Sequence, residues 1–312
     1  MKVFVAGATG AIGRKLLPAL AEDGHEVVGM TRSEERTGLI RELGAEPVVA
    51  DVLDPEGVRA AVAAARPEVV IHQLTSIPKA VDPKRFAEQF ALNNRVRREG
   101  TPNLVDAARA AGARRVVAQS IAFVYAPRGG GLRVEEDPLA VDSPEPMRET
   151  VGAVADLEQA VTATEGIEGL VLRYGYFYGP GTSYASDGAQ AELVRRRRFP
   201  VVGSGAGVFS FIHVEDGARA AVRALDHGSP GFYNVVDDDP APVRDWLPVF
   251  ADTLRAEPPR RAPAFVARLI AGKYAVNLMT RSEGASNRKA KQELDLELRF
   301  PSWRRGFAEA LG

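Results

Sequence analysis

Lys2-Val3-Phe4-Val5-Ala6-Gly7-Ala8-Thr9-Gly10-Ala11-Ile12-Gly13-Arg14-Lys15-Leu16-Leu17 is the stretch that decides the fold. A short apolar, β-branched run stops at a glycine, and a helical pattern opens over residues 11–23. Glycines at 7, 10 and 13 occupy the turn between them. Without a Cβ, Gly10 lets a pyrophosphate approach the backbone, and Gly13 lets the helix pack on the strand. The helix N-terminus adds free N–H groups and a positive dipole end. A Gly-x-x-Gly-x-x-Gly run alone is a weak signal, but in the first βα turn it reads as a dinucleotide cradle. Gly7, Thr9, Gly10, Ala11, Ile12 and Gly13 are its expected residues.

Outward from this turn, short apolar runs alternate with Ala-rich amphipathic stretches. Strands are expected at 2–6, 25–30, 46–50, 68–72, 114–119, 170–174 and 232–236, with helices at 33–43, 55–65, 149–164 and 213–226. A long helical stretch between Asp82 and Gly112 should be broken within its length. Strands of four to six apolar residues separated by helices of ten or more specify βαβ units and a parallel sheet. The expected class is α/β: a Rossmann-type doubly wound parallel sheet with a smaller, mostly helical C-terminal substrate domain. Residues 1–173, with 208–236 returning to them, form the first domain; 174–207 and 237–312 form the second. The Gly- and Pro-rich segment 126–146 reads as a loop that is either a surface connection or a cover for the site.

Composition narrows the chemistry. The 312 residues contain no cysteine and four histidines, so thiol catalysis, iron–sulfur clusters and thiolate zinc sites are excluded. No two histidines show metal-ligand spacing, and no metal is expected. Lys plus Arg is 40 against 41 for Asp plus Glu, a net charge of −1, which argues against a nucleic-acid partner. No apolar stretch suits a membrane span and none reads as a targeting signal, so a cytoplasmic protein is expected.

The end of the second strand reports on the cofactor. An NAD-binding fold places Asp or Glu there for the ribose hydroxyls. Here it reads Met30-Thr31-Arg32-Ser33, with no carboxylate. Arg32 offers a donor fork for a 2′-phosphate, and Thr31, Ser33 and Arg36 add donors, so NADP(H) is expected over NAD(H). After the third strand, Asp51 with Val52 is placed at the adenine, and Asp54 before Pro55 at a helix N-cap.

Several motifs together resemble the extended short-chain dehydrogenase/reductases of the NAD-dependent epimerase/dehydratase type. They are Gly7–Gly13, Val69-Val70-Ile71-His72, Gly100-Thr101-Pro102-Asn103, Val124-Tyr125, Leu172-Arg173-Tyr174, Tyr178-Gly179-Pro180-Gly181 and Phe211-Ile212-His213-Val214-Glu215-Asp216. The resemblance covers almost the whole chain. It implies a small-molecule substrate held between two domains. It implies nicotinamide near Leu74, Thr75, Ser76, Gln119, Ser120, Tyr174 and Gly175. It also implies a homodimer through helices at 92–111 and 150–164, where Val151, Val154, Leu157 and Val161 suit helix packing.

The chain departs from that pattern where the chemistry should be. Members use a Tyr-x-x-x-Lys pair, in which a lysine lowers the phenol's pKa, and a Ser or Thr four residues before the Val-Tyr tyrosine. Thr150 stands at the tyrosine, Val154 at the lysine and Ile121 at the hydroxyl residue; no lysine occurs between Lys84 and Lys273. Arg97 replaces an asparagine expected three residues before Gly100. Tyr125, Thr150 and Ser120 are the remaining catalytic candidates, although alternation should turn Ser120 to the opposite face from Ile121. Three readings stay open: an NADP(H)-dependent oxidoreductase or epimerase-like enzyme with an unusual proton donor, a catalytically weak NADP(H)-binding sensor or scaffold, and a lyase or isomerase that uses the cofactor structurally.

Overall fold

The computed structural model describes residues 1–78, 80–82 and 85–311. Pro83 and Lys84, at the start of the expected broken helix, lie outside the described residues.

Seven strands form one parallel sheet. They are β1 (Lys2–Ala6), β2 (Glu26–Thr31), β3 (Glu46–Val49), β4 (Val69–His72), β5 (Arg115–Ile121), β6 (Glu168–Tyr174) and a last strand, Gly231–Val235. From one edge the order is Gly231–Val235, β6, β5, β4, β1, β2, β3. Every pairing is parallel, so the order reverses between β1 and β4, where a doubly wound fold opens its ligand crevice.

Both faces of the sheet are covered, which is why its strands are apolar throughout rather than alternating. On one face α1 (Gly13–Glu22) buries Leu16, Leu17 and Leu20 completely, together with Val214, Ala218 and Ala221 of α8 (Val214–Arg223). Burial of each leucine is worth about 1.5–3 kcal/mol. On the other face lie α3 (Pro55–Ala65), α5 (Thr101–Ala110) and α6 (Met147–Thr162), through Val58, Val62, Leu104, Leu157 and Val161.

The expected helix break is a π-helical turn at Val96–Gly100, between α4 (Phe86–Arg95) and α5. The Thr101 N–H reaches back five residues to the Val96 carbonyl, and a Cβ on Gly100 would lie 2.6 Å from Val52 Cγ1. Turns of this kind concentrate at functional sites.

A second core of aromatic side chains, including Tyr178, Tyr184, Phe211, Trp246, Trp303 and Phe307, forms the smaller lobe. The expected domain boundary differs in one place. Ala290, Leu294 and Leu296, assigned above to the substrate domain, pack into the core beneath α1 and α8. The supposed dimer face of α6 is also accounted for. Val151, Val154, Leu157 and Val161 are 0–2 % exposed within this one chain. No helix among the described residues is long and apolar enough to cross a membrane.

Candidate functional site

The Gly-rich turn is built as a phosphate cradle. Gly7 has φ +96°, and a Cβ there would lie 2.6 Å from the Gln73 backbone. A Cβ on Gly13 would lie 2.4 Å from the carbonyl oxygens of Gly7 and Ala8. Only glycine fits at either position. Gly10, by contrast, is exposed, and its missing Cβ would meet only the Gly7 oxygen, at 3.4 Å. Its outward side is open to a ligand. Ile12 stands at the N-cap of α1 without a side-chain cap, and Ala11 is half-buried beside it. The first-turn amides therefore have no competing side-chain acceptor at this end.

A basic rim flanks the cradle. Arg36 Nη1 donates to Thr9 Oγ1 at 3.3 Å, and Arg14 Nε to the Thr9 carbonyl at 3.1 Å. Arg32 is exposed beside them. Thr31 is buried, and its hydroxyl accepts the Ser33 N–H at 3.2 Å. Arg14 was not anticipated; its signal was a place one helical turn after Gly10. Asp51 Oδ1 accepts the Leu53 N–H at 3.0 Å, so part of the carboxylate assigned to adenine shapes its own turn. The Val52 carbonyl accepts from Asn103 Nδ2 at 2.9 Å. Asp54 is the N-cap residue of α3 by backbone geometry but makes no capping hydrogen bond.

At the end of β4, His72 is buried between Thr101 Oγ1, 2.9 Å from Nε2, and the Leu74 N–H, which donates to Nδ1 at 3.2 Å. Burial, with the nearby Arg97 charge, pulls its pKa down to about 4, so the imidazole is neutral near pH 7. Thr75 is exposed, and the Ser76 N–H donates to Asn93 Oδ1 at 2.8 Å.

The three catalytic candidates do not converge. Ser120 does face away from Ile121 and is 2 % exposed. Its hydroxyl donates to Glu158 Oε1 at 2.7 Å. Glu158 also takes a bidentate pair from Arg173, at 2.8 and 2.6 Å, with both side chains 5 % exposed. The Tyr125 hydroxyl donates to Asn234 Oδ1 at 2.6 Å and accepts from Arg173 Nη1 at 2.9 Å. Burial, working against the Arg173 charge, pushes this phenol up to about 12. Thr150 is buried, and its Oγ1 accepts from Asn94 Nδ2 at 3.4 Å. Ser120 and Tyr125 thus belong to a buried ion-pair network. Their hydroxyl groups are hydrogen-bonded to internal partners. Thr150 alone remains in the helix turn where the family's tyrosine would stand.

Gln119 is half-buried. The Tyr174 hydroxyl donates to the Gly217 carbonyl at 3.2 Å, and a Cβ on Gly175 would lie 2.5 Å from the Ser210 carbonyl oxygen. Tyr174 is therefore held against α8 within the first core, and Gly175 lies close against the backbone at Ser210. Arg97, noted in the sequence only as a replacement, has company in Gln73, Asn93 and Asn94, which the sequence did not bring forward. Gln73 Oε1, Asn93 Nδ2, Asn94 Oδ1 and Arg97 Nη1 are all buried without a hydrogen-bond partner.

The Gly129-Gly130-Gly131 loop is pinned. The Glu283 carboxylate accepts the N–H groups of Arg128, Gly129 and Gly130 at 2.8–2.9 Å and pairs with buried Arg133 at 3.0 Å. Under this loop, between the end of β5, α6 and the helix α10 (Ala264–Arg281), lies a cavity of about 140 Å³. Phe123, Tyr125, Val151, Tyr274, Leu278 and Arg281 contribute to its wall. A larger cavity of about 570 Å³ shares Asn277 and Arg281 but touches no residue of β4–β6.

The cradle and the orphaned polar atoms fit a dinucleotide laid across the C-terminal edge of the sheet, with its reactive end toward β4 and β5. Comparison with known proteins identifies the family. Residues 3–235 match the model of the NAD-dependent epimerase/dehydratase family. The chain is 48 % identical over 307 residues to a 3-diazoavenalumate denitrifying reductase of a Streptomyces species, spanning 98 % of this chain and 99 % of that protein. It is 28 % identical over 320 residues to a 4-hydroxy-2-methyl-3-oxo-4-farnesyl-3,4-dihydroquinoline-1-oxide ketoreductase of Stigmatella aurantiaca, covering 94 % and 91 %. Its fold is that of the UDP-glucose 4-epimerase of Thermotoga maritima, solved with UDP-glucose. That match has a TM-score of 0.77 and 20 % identity over 99 % of this chain and 97 % of that one. The protein is an enzyme of the oxidoreductase/epimerase class, and it belongs to the NAD-dependent epimerase/dehydratase family.

Proposed function

We propose that the enzyme is an NADP(H)-dependent reductase that removes nitrogen from a diazo-bearing carboxylate. The observation that carries this reading is the lack of a proton donor where the family keeps one. Ile121, Thr150 and Val154 replace the hydroxyl residue, the tyrosine and the lysine. Tyr125 is held neutral and bonded elsewhere. Reducing a ketone requires a proton at the oxygen, and a positioned acid supplies about 10²–10⁴ in rate. Reducing a diazonium carbon requires none. The C–N bond breaks, its electron pair leaves with dinitrogen, and a C–H bond forms with the two electrons of a hydride. The similarity to a relative named for such a substrate supports the same reading.

When bound, the dinucleotide supplies that hydride. Gly7, Gly10 and Gly13 would hold its pyrophosphate. Arg14, Arg32 and Arg36 would hold the 2′-phosphate that distinguishes NADP(H), in charge-assisted bonds. Phe123, Tyr274 and Leu278 would exclude water from the substrate, and Arg281 would take its carboxylate. A homodimer through the outward faces of α5 and α6 is part of the proposal, with sedimentation as its check. The principal test incubates the protein with reduced dinucleotide and, separately, a diazo carboxylate, a ketone panel and UDP-glucose. One dinitrogen released per dinucleotide oxidised supports the reading. Ketone reduction or UDP-glucose epimerisation without diazo turnover refutes it.

A further inference from the structure

Four buried polar atoms point to one ligand. Gln73, Asn93, Asn94 and Arg97 are 1–7 % exposed, and each has one polar side-chain atom without a hydrogen-bond partner. Such atoms are rare in folded proteins, and four of them call for a reason. Asn93 and Arg97 are four residues apart and share a helix face, with Asn94 beside them. Their satisfied contacts run in three directions, the first from Gln73 Nε2 to the Tyr174 hydroxyl at 3.4 Å. Asn93 holds the Ser76 N–H beyond β4, and Asn94 touches Thr150 on α6. Arg97 lies in the π-helical turn and is close enough to His72 and Glu158 to act on them electrostatically. No carboxylate lies within ion-pairing distance of Arg97 among the described residues. Glu158, the nearby anion, is already saturated by Arg173 and Ser120. Arg97 is thus a buried cation without a counter-ion, next to the helix face where Val154 replaces the family's lysine.

Two of the orphaned groups are donors, Asn93 Nδ2 and Arg97 Nη1. Two are acceptors, Gln73 Oε1 and Asn94 Oδ1. A pair of vicinal hydroxyls, each able to donate and accept, matches that set. Gln73 also adjoins the cradle, because its backbone lies directly against Gly7. We propose that Gln73, Asn93, Asn94 and Arg97 receive the ribose hydroxyls at the nicotinamide end of the dinucleotide, with Arg97 as the positioning cation in place of the absent lysine. This rests on the cofactor reading given above.

Thermal unfolding and dinucleotide titration of the whole protein test it, with NADPH and NADH as probes. Arg97→Met should unfold without dinucleotide at the wild-type temperature or above it, since it removes an uncompensated buried charge. Its Kd for the better dinucleotide should rise about ten- to a hundredfold, and the dinucleotide-induced rise in Tm should shrink accordingly. Arg97→Lys should recover part of both. Asn94→Leu, which keeps Arg97, carries the test independently and should raise Kd by about tenfold. A Kd within twofold of wild type in both Arg97→Met and Asn94→Leu overturns the proposal, and so does an Arg97→Met protein that loses stability while retaining its Tm shift. Failure of the wild type to bind either dinucleotide would overturn the cofactor reading itself, and this proposal with it.

Discussion

If hydride transfer here requires no proton, its rate should be nearly independent of pH. The perturbation is a series of buffers from pH 6 to pH 9. The measurement is the single-turnover rate with protein in excess over a diazo carboxylate, corrected for spontaneous decay. Besides Tyr274, which burial raises to about 12, and Glu283, which against the effect of burial is held below the usual carboxylate range by the N–H groups it accepts and by Arg133, two titratable side chains border the reaction region. Burial raises Tyr125 to about 12, so about one phenol in a thousand is ionised at pH 9. The groups facing it are Arg173, which stays charged, Asn234, and Glu135, whose Oε1 accepts the Asn234 N–H. Burial lowers His72 to about 4, so about one imidazole in a hundred is protonated at pH 6. Neither group changes state across the window, and the rate should vary by less than about twofold.

An acid titrating near pH 7 would behave otherwise. Its protonated fraction falls about tenfold per unit above its pKa, so the rate would drop roughly a hundredfold by pH 9. Tyr125→Phe sharpens the comparison. It deletes the hydrogen bond to Asn234, which costs about 1 kcal/mol of stability, but it should leave the transfer rate within about threefold. A log-rate slope of −1 above pH 7 would refute the absence of a proton donor. A hundredfold loss in a folded Tyr125→Phe protein would do the same.

Two further outcomes follow from the geometry. Arg36→Glu places a carboxylate beside Thr9 on the basic rim, and should weaken NADPH by about tenfold or more while changing NADH by less than about threefold. Parallel titrations check this, and equal losses for the two dinucleotides would contradict the 2′-phosphate assignment. Glu158→Gln strands the Arg173 charge in the core, at a cost of about 3–5 kcal/mol. With an unfolding entropy of about 2.1 cal/mol/K per residue, this corresponds to a fall in Tm of roughly 5–8 °C by calorimetry. A fall below about 1 °C would show that the network contributes little.

The parts of the molecule legible in the sequence are those whose cause is local. Strand period, helix period and the glycines at 7, 10 and 13 each report a constraint acting within a few residues, and all seven sheet strands fall where their apolar runs stand. The opposite face for Ser120 followed from alternation alone. What local pattern could not reveal was which neighbour satisfies an amphipathic face. Val151, Val154, Leu157 and Val161 form an apolar stripe whether they meet a second copy or this chain's own sheet. Here the sheet takes Leu157 and Val161, while Val151 and Val154 pack with Val124, Phe123 and Tyr274. Leu294 and Leu296 join the first core from a stretch with no helical or strand period, so no boundary inside the C-terminal region was visible.

The orphaned row lay further still from view. Arg97 stood out in the sequence only as a substitution. Its meaning depends on atoms from β4, α4 and α6 meeting in one place, and on Glu158 being already taken by Arg173. A buried group without a partner is defined by what fails to approach it, and spacing along a chain carries no record of that. The same tertiary fact unites the two departures from the family pattern. On the proposed assignment, valine at position 154 leaves the cofactor's floor without the family's cation, and arginine at position 97 would supply one from the neighbouring helix. The phenol is not returned, and a reaction that proceeds without a proton donor is one in which its loss costs nothing.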